Sequence, residues 1–247
     1  MTLLLGLDCA TLPQKTGLAI GTLVNNHLQV NSVSLASTAS PVVDTLLSWI
    51  TEQDEPNDFL LCIDAPLGWP KPMGHLLADH QAGDLLSHEP NLFFRRETDR
   101  YVRRTLGKLP LDVGADRIAR TAHQALSILG ELRSRTGLEI PLPLKPGPQP
   151  LSSAIEVYPA ATLLAHGMKA TGYKGPSGAG IRAGIMTQLN KQVEFNTNTD
   201  PITANDDIFD AVLCLIAGRD FLLEEVYPPQ DLYQAAKEGW IWVKRII

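Results

Sequence analysis

The sequence of 247 residues has only three cysteines, Cys9, Cys62 and Cys214. An odd count without paired spacing excludes a disulfide framework and a zinc knuckle. Each lies among apolar neighbours, where cysteine acts as a small buried hydrophobe. That usage points to a reducing, cytoplasmic compartment. Long hydrophobic runs are missing too, since none approaches the roughly 20 apolar residues of a membrane helix. The apolar stretch near Met1 ends at Asp8, with no basic region before it and no small-residue cleavage site after it, so no signal peptide is predicted. Positive charge is scarce: 21 Lys and Arg stand against 27 Asp and Glu, a net charge of −6. This argues against a protein that coats nucleic acid non-specifically. Among motifs, there is no GxSxG nucleophile elbow and no HExxH, and the histidines lack zinc spacing. GYKGPSGAG, residues 172–180, has no Lys-Ser/Thr pair after its glycines and is not a Walker A loop.

What is present reads as an α/β chain of one domain over 1–247, with 44% apolar and 19% charged residues. Leu3–Cys9, Leu18–Val24 and Leu28–Leu35 read as three strands of a meander, the last two joined by a tight turn at Asn25-Asn26. Pro41 opens a helix with a stripe of Val42, Leu46, Leu47 and Ile50. Phe59–Ile63 is a fourth strand, parallel to the first. Residues 65–111 form a long irregular insertion after it. A long helix is predicted at about 112–135. A proline-rich loop follows at Pro141–Pro150, then a fifth strand at Ala154–Tyr158 and a helix from Pro159 to Gly167. The glycine-rich loop precedes a helix carrying Ile181, Ile185 and Leu189. Asn205 is placed to cap a last major helix, 206–223. Trp240 and Trp242 belong to a tail packed on the body. The expected architecture is a mixed five-stranded sheet with helices on both faces.

Five acidic residues break their local pattern. Asp8 and Asp64 each end an apolar strand, and strand ends of a parallel sheet open into a shared crevice. Glu156 lies inside the short strand of AIEVYP. Asp207 and Asp210 lie three apart on an otherwise apolar helix, so both can face that crevice. Clustered carboxylates repel unless a cation lies between them, and hard divalent cations favour such oxygens. A second feature is RRETDRYVRR, with Arg95, Arg96, Arg100, Arg103 and Arg104 in ten residues and Lys108 beyond. In an acidic chain this is either a solvated helix face or a phosphate-binding face, because guanidinium groups grip phosphate oxygens in pairs.

GLDCA, CIDAPLGWP, FRRETDRYVRR, IEVYPAA, GYKG and DDIFDAV occur in that order along nearly the whole chain. Together they resemble a family of predicted nucleases, domain of unknown function family 429, with a ribonuclease H-like fold. The resemblance implies Asp8, Asp64, Asp207 and Asp210 as ligands of two divalent ions, Mg or Mn, with Asp8 bridging them. Glu156 belongs to the narrower EVYP motif, as a ligand or as the residue orienting the water. The implied activity is two-metal hydrolysis of a phosphodiester in nucleic acid or a nucleotide. Arg95, Arg96, Arg100, Arg103 and Lys174 are the expected phosphate contacts. Two other readings stay open: a phosphotransferase or ATPase of the actin and sugar-kinase type, with Thr11, Lys15 and Thr16 near a phosphate, and a non-catalytic nucleic-acid- or protein-binding domain. No membrane partner is expected. The oligomeric state is open, a homodimer being one arrangement.

Overall fold

The computed structural model describes residues 1–52, 59–86, 89–114 and 116–246. Residues 87 and 88 of the predicted insertion, residue 115 of the predicted long helix and residue 247 lie outside the described residues, as do residues 53–58. Among the described residues the chain forms a mixed six-stranded sheet and ten α-helices.

The meander is present as β1 (Thr2–Asp8), β2 (Gly17–Val24) and β3 (His27–Leu35), paired antiparallel. Asn25 and Asn26 turn the hairpin with φ of 50° and 66°, the left-handed geometry that a two-residue loop of this kind requires and asparagine tolerates. β4 (Phe59–Asp64) runs parallel to β1, and β5 (Ser153–Glu156) runs parallel to β4. The five strands expected from the sequence are joined by a sixth, β6 (Val193–Phe195), parallel to the outer edge of β3. Three residues are too few to show the alternation that reveals a strand. Edge pairing makes it one, helped by Gln29 Nε2 donating to Glu194 Oε2 at 2.9 Å.

The insertion after β4 is less irregular than its composition suggests. It holds α2 (Lys71–Leu77), α3 (Pro90–Phe94) and α4 (Glu97–Leu106). The helices of the body are α1 (Val42–Thr51), α5 (Asp116–Thr136), α6 (Pro159–Ala165), α7 (Ala179–Leu189), α8 (Asp200–Ala204), α9 (Asp206–Leu222) and α10 (Leu232–Glu238). Helices cover both faces of the sheet. Leu3, Leu5 and Leu7 with Leu61 and Ile63 meet Leu46 of α1 and Leu129 of α5. Leu4, Leu60 and Cys62 point the other way, into a core built around α9.

Residues 208–222 of α9 are all buried, as suits a helix apolar on every side. Asn205 caps it as predicted, Oδ1 accepting from the Ile208 amide at 2.9 Å. Glycine lets it lie flush on the sheet. A methyl group at Gly6 would overlap the Ala211 carbonyl, and one at Gly17 would overlap the Asp207 carbonyl. The first turns of α9 are thereby held at the carboxyl end of β1. The tail packs as expected, with Trp240 and Trp242 buried, and Ile241 bridges to Glu156 beside β5. Among the described residues no helix is long and apolar enough to cross a membrane.

Candidate metal centre

Asp8 and Asp64 are register partners on neighbouring parallel strands. Side chains alternate along a strand, so Asp8 shares a face with Leu4, and Asp64 with Leu60 and Cys62. That face is the one α9 covers, and Asp210 enters from α9. One oxygen from each of Asp8, Asp64 and Asp210 lies within 4.8 Å of the other two. Asp210 Oδ1 is buried without a hydrogen-bond partner. Among the described residues no group donates a hydrogen bond to the side chain of Asp8 or Asp64.

The electrostatics follow from this crowding. Burial pushes Asp64 up to about 8 and Asp210 up to about 6. Asp8 is raised as well, first by burial and then by the charges of Asp210 and Asp64. Two buried carboxylates and a partly buried third cannot all ionise cheaply without positive charge between them. Among the described residues the one ammonium in contact is Lys174, which pairs with Asp210 Oδ2. Burial alone would lower Lys174, but Asp210, Asp8 and Asp64 hold it above its ordinary value. An all-oxygen donor set with an orphaned buried oxygen fits a hard divalent cation.

Lys174 is delivered by a loop with left-handed glycines at Gly172 and Gly175, φ 75° and 70°. Arg182, fully buried on α7, anchors that loop. Its Nη1 donates to the carbonyls of Tyr173 and Gly175, its Nε to Thr203 O at 2.8 Å and its Nη2 to Ala204 O at 2.9 Å. One guanidinium thus ties the Lys174 loop to the segment leading into α9.

The sequence pattern of one family, Protein of unknown function (DUF429), matches residues 6–233, a span that includes all three clustered aspartates. The chain belongs to DUF429. Comparisons with curated proteins and with solved structures returned no match.

The other predicted residues of this DUF429 chain are distributed differently. Asp207 is not among the three acids within 4.8 Å of one another, though its charge still raises Asp8; Lys15 lies 3.8 Å from it and its Oδ2 is buried without a hydrogen-bond partner. Glu156 is in register with Ile63, the neighbour of Asp64, so its side chain leaves the sheet on the opposite face. There it accepts from Arg96, Nη2 to Oε1 at 2.6 Å and Nη1 to Oε2 at 2.8 Å, and from the Leu67 amide at 3.1 Å. Arg96 also donates to Asp99 and to the Glu238 carbonyl. All five of its N–H groups are used inside the protein, which leaves none for phosphate. Arg95 is held by Asp112 and Asn91, Arg100 by Glu97, and Arg103 by the Gly107 carbonyl. Arg95, Arg100 and Arg103 therefore brace the insertion, while Arg96 and Glu156 reach the cavity over the carboxylates with the donors of Arg96 already spent on the protein.

A cavity of about 400 Å³ opens over Asp8, Asp64 and Asp210. Lys174 and Lys108 line it with Tyr158, Leu111 and Ile118. Tyr158 was visible only as part of EVYP. Arg182 gave no signal, because its partners are carbonyls of distant loops.

Proposed function

We propose that this chain is a divalent-cation-dependent phosphodiester hydrolase. The observation that carries the reading is the cluster of Asp8, Asp64 and Asp210 at the base of a cavity, with one carboxylate oxygen buried and unpartnered. The likeness of the motifs to predicted nucleases supports a phosphodiester over other esters. The reading takes one resident cation, held by the three acids that lie within 4.8 Å of one another.

A bound Mg²⁺ or Mn²⁺ would lower the pKa of a bound water and offset charge on a phosphate oxygen. The residues divide the remaining work. Asp8, Asp64 and Asp210 hold the cation from two strand ends and a helix, so the ligands are fixed before it arrives. Lys174, half exposed, exchanges Asp210 for a non-bridging phosphate oxygen. Tyr158 and its apolar neighbours shield the reacting phosphorus from bulk water. The net reaction forms a P–O bond from water and breaks the P–O bond to the leaving alcohol, which ends with the water's proton. A kinase-like phosphate turn after β1 has less support. Thr16 is buried there and its hydroxyl donates back to the Ala10 carbonyl at 3.4 Å.

The test pairs Mn²⁺ calorimetry with hydrolysis of bis(p-nitrophenyl) phosphate, in the natural protein and in Asp64→Asn. Stoichiometric Mn²⁺ binding and metal-dependent hydrolysis, both lost in the variant, are expected. Absence of Mn²⁺ binding by the natural protein would overturn the proposal.

A further inference from the structure

The shape and charge of the cavity bear on substrate size, and the inference rests on the hydrolase reading above. A long nucleic acid is gripped through many phosphates, and each contact needs a free cation. Among the described residues lining this cavity the cationic side chains are Arg96, Lys108 and Lys174. Arg96 has no donor left over. Lys108 makes no ion pair with another described residue, and Lys174 sits on the carboxylates. Two lysines in the lining suit one phosphate group, or two at most. Arg95, Arg100 and Arg103 do not line it.

The remaining wall is of another kind. Pro66, Pro110, Leu111, Ile118, Tyr158 and Ala170 face the same space. Leu111 is 70% exposed, so an apolar side chain stands at the cavity without a protein partner covering it. A volume of about 400 Å³ is that of a small-molecule site. A flat ring suits such apolar lining beside the charged groups, since bases stack on aromatic and apolar side chains without needing a specific sequence.

We propose that the substrate is a small phosphodiester of nucleotide size. Its phosphate lies at Asp8, Asp64 and Asp210 between Lys174 and Lys108, and its ring system lies against Leu111, Ile118 and Tyr158. Water adds to phosphorus, the ester bond to the leaving alcohol breaks, and the products are a nucleoside-monophosphate-like phosphomonoester and an alcohol. Long duplexes are not gripped.

The experiment measures binding as well as turnover, on the full chain with Mn²⁺. The probes are AMP, inorganic phosphate, a dinucleotide, a long single strand and a long duplex. AMP should bind at least tenfold more tightly than inorganic phosphate. Its salt dependence should be that of one or two phosphates, a slope no steeper than about −1.5 in log–log form. Leu111→Asp should weaken AMP at least tenfold while Mn²⁺ affinity stays unchanged, and the dinucleotide should be cleaved with a higher kcat/KM than either polymer. A polymer that binds more than tenfold more tightly than AMP, with a slope of several phosphates, would overturn the small-substrate inference and leave the hydrolase reading standing. So would AMP binding no tighter than phosphate, or indifferent to Leu111→Asp. Failure of Mn²⁺ to bind removes both together.

Discussion

The ammonium of Lys174 rests on one oxygen of Asp210, while the other oxygen of the same carboxylate is buried with no partner. Lys174 therefore neutralises only part of the charge that Asp8, Asp64 and Asp210 bring together. Replacing it by methionine should act in two directions. Mn²⁺ should bind at least as tightly, because a competing cation is gone. The kcat/KM for a phosphodiester should fall, because a phosphate contact is gone. Calorimetry and steady-state kinetics on Lys174→Met read both, and weaker Mn²⁺ binding in the variant would contradict this account.

The raised carboxylates set a pH dependence. Asp64 is pushed up to about 8 and Asp210 up to about 6, while both have ordinary values near 4 when unfolded. Between those limits the folded state holds more protons than the unfolded state, so stability of the metal-free protein falls as pH rises. Denaturation in chelator should show greater stability at pH 5 than at pH 8. Saturating Mn²⁺ should remove that difference at pH 8, since only the ionised carboxylates bind it.

Asp8→Asn separates a ligand from a structural acid. If Asp8 holds a cation, the amide abolishes hydrolysis yet leaves the metal-free protein unchanged or slightly more stable, because a repelling charge has been removed. Hydrolysis near the natural rate would refute the role. A loss of several kcal/mol in chelator would make Asp8 structural instead.

The arginines in and just before α4 differ in worth. Arg96 is 1% exposed and balances Asp99 and Glu156, so Arg96→Met leaves two buried carboxylates without their partner and should cost about 3–5 kcal/mol. Arg100 and Glu97 form a more exposed pair, and Arg100→Ala should cost under about 1 kcal/mol. Urea denaturation of the two variants gives the comparison, and equal losses would mean that burial is not the distinguishing factor.

Gly17→Ala tests how the site is aimed. The added methyl overlaps the backbone of Asp207 and must lift the start of α9 away from β2. A cost of about 1–3 kcal/mol is expected for such overpacking. Weaker Mn²⁺ binding should accompany it, because Asp210 moves with the helix. Unchanged Mn²⁺ affinity would separate helix seating from the metal site.

Much of the clustered site was legible because its signals are local. Asp8 and Asp64 each end an apolar run, and Asp210 interrupts an apolar helix. Glu156 shows the opposite situation. It too is an acid in an apolar strand, but the face it takes is fixed by pairing with Ile63 across β4, and register is a property of two segments. The protein partners of the arginine cluster were hidden for a related reason. Arg96 meets Glu156 at a separation of 60 residues and the Glu238 carbonyl at 142, so its neutralisation could not be read from RRETDRYVRR alone. The family's motifs matched residues 6–233, but they did not convey that Arg182 anchors the Lys174 loop, since carbonyl partners leave no trace in side-chain identity.

Glu238 accepts from the amides of Lys71 and Glu97, Oε1 at 2.8 Å and Oε2 at 2.6 Å, and the Trp242 amide donates to the Glu156 carbonyl at 3.1 Å. These late residues therefore secure the loop that follows Asp64 and the start of α4. A chain emerging from the ribosome presents Asp8 and Asp64 before Asp210, and Asp210 before this fastening. Synthesis runs from the amino end at about 5–20 residues per second, so a nascent chain carries two of the three carboxylates for several seconds with nothing to close the site. The three-carboxylate cluster can therefore assemble only after residue 210 has been made, however early the two strands that carry Asp8 and Asp64 have paired.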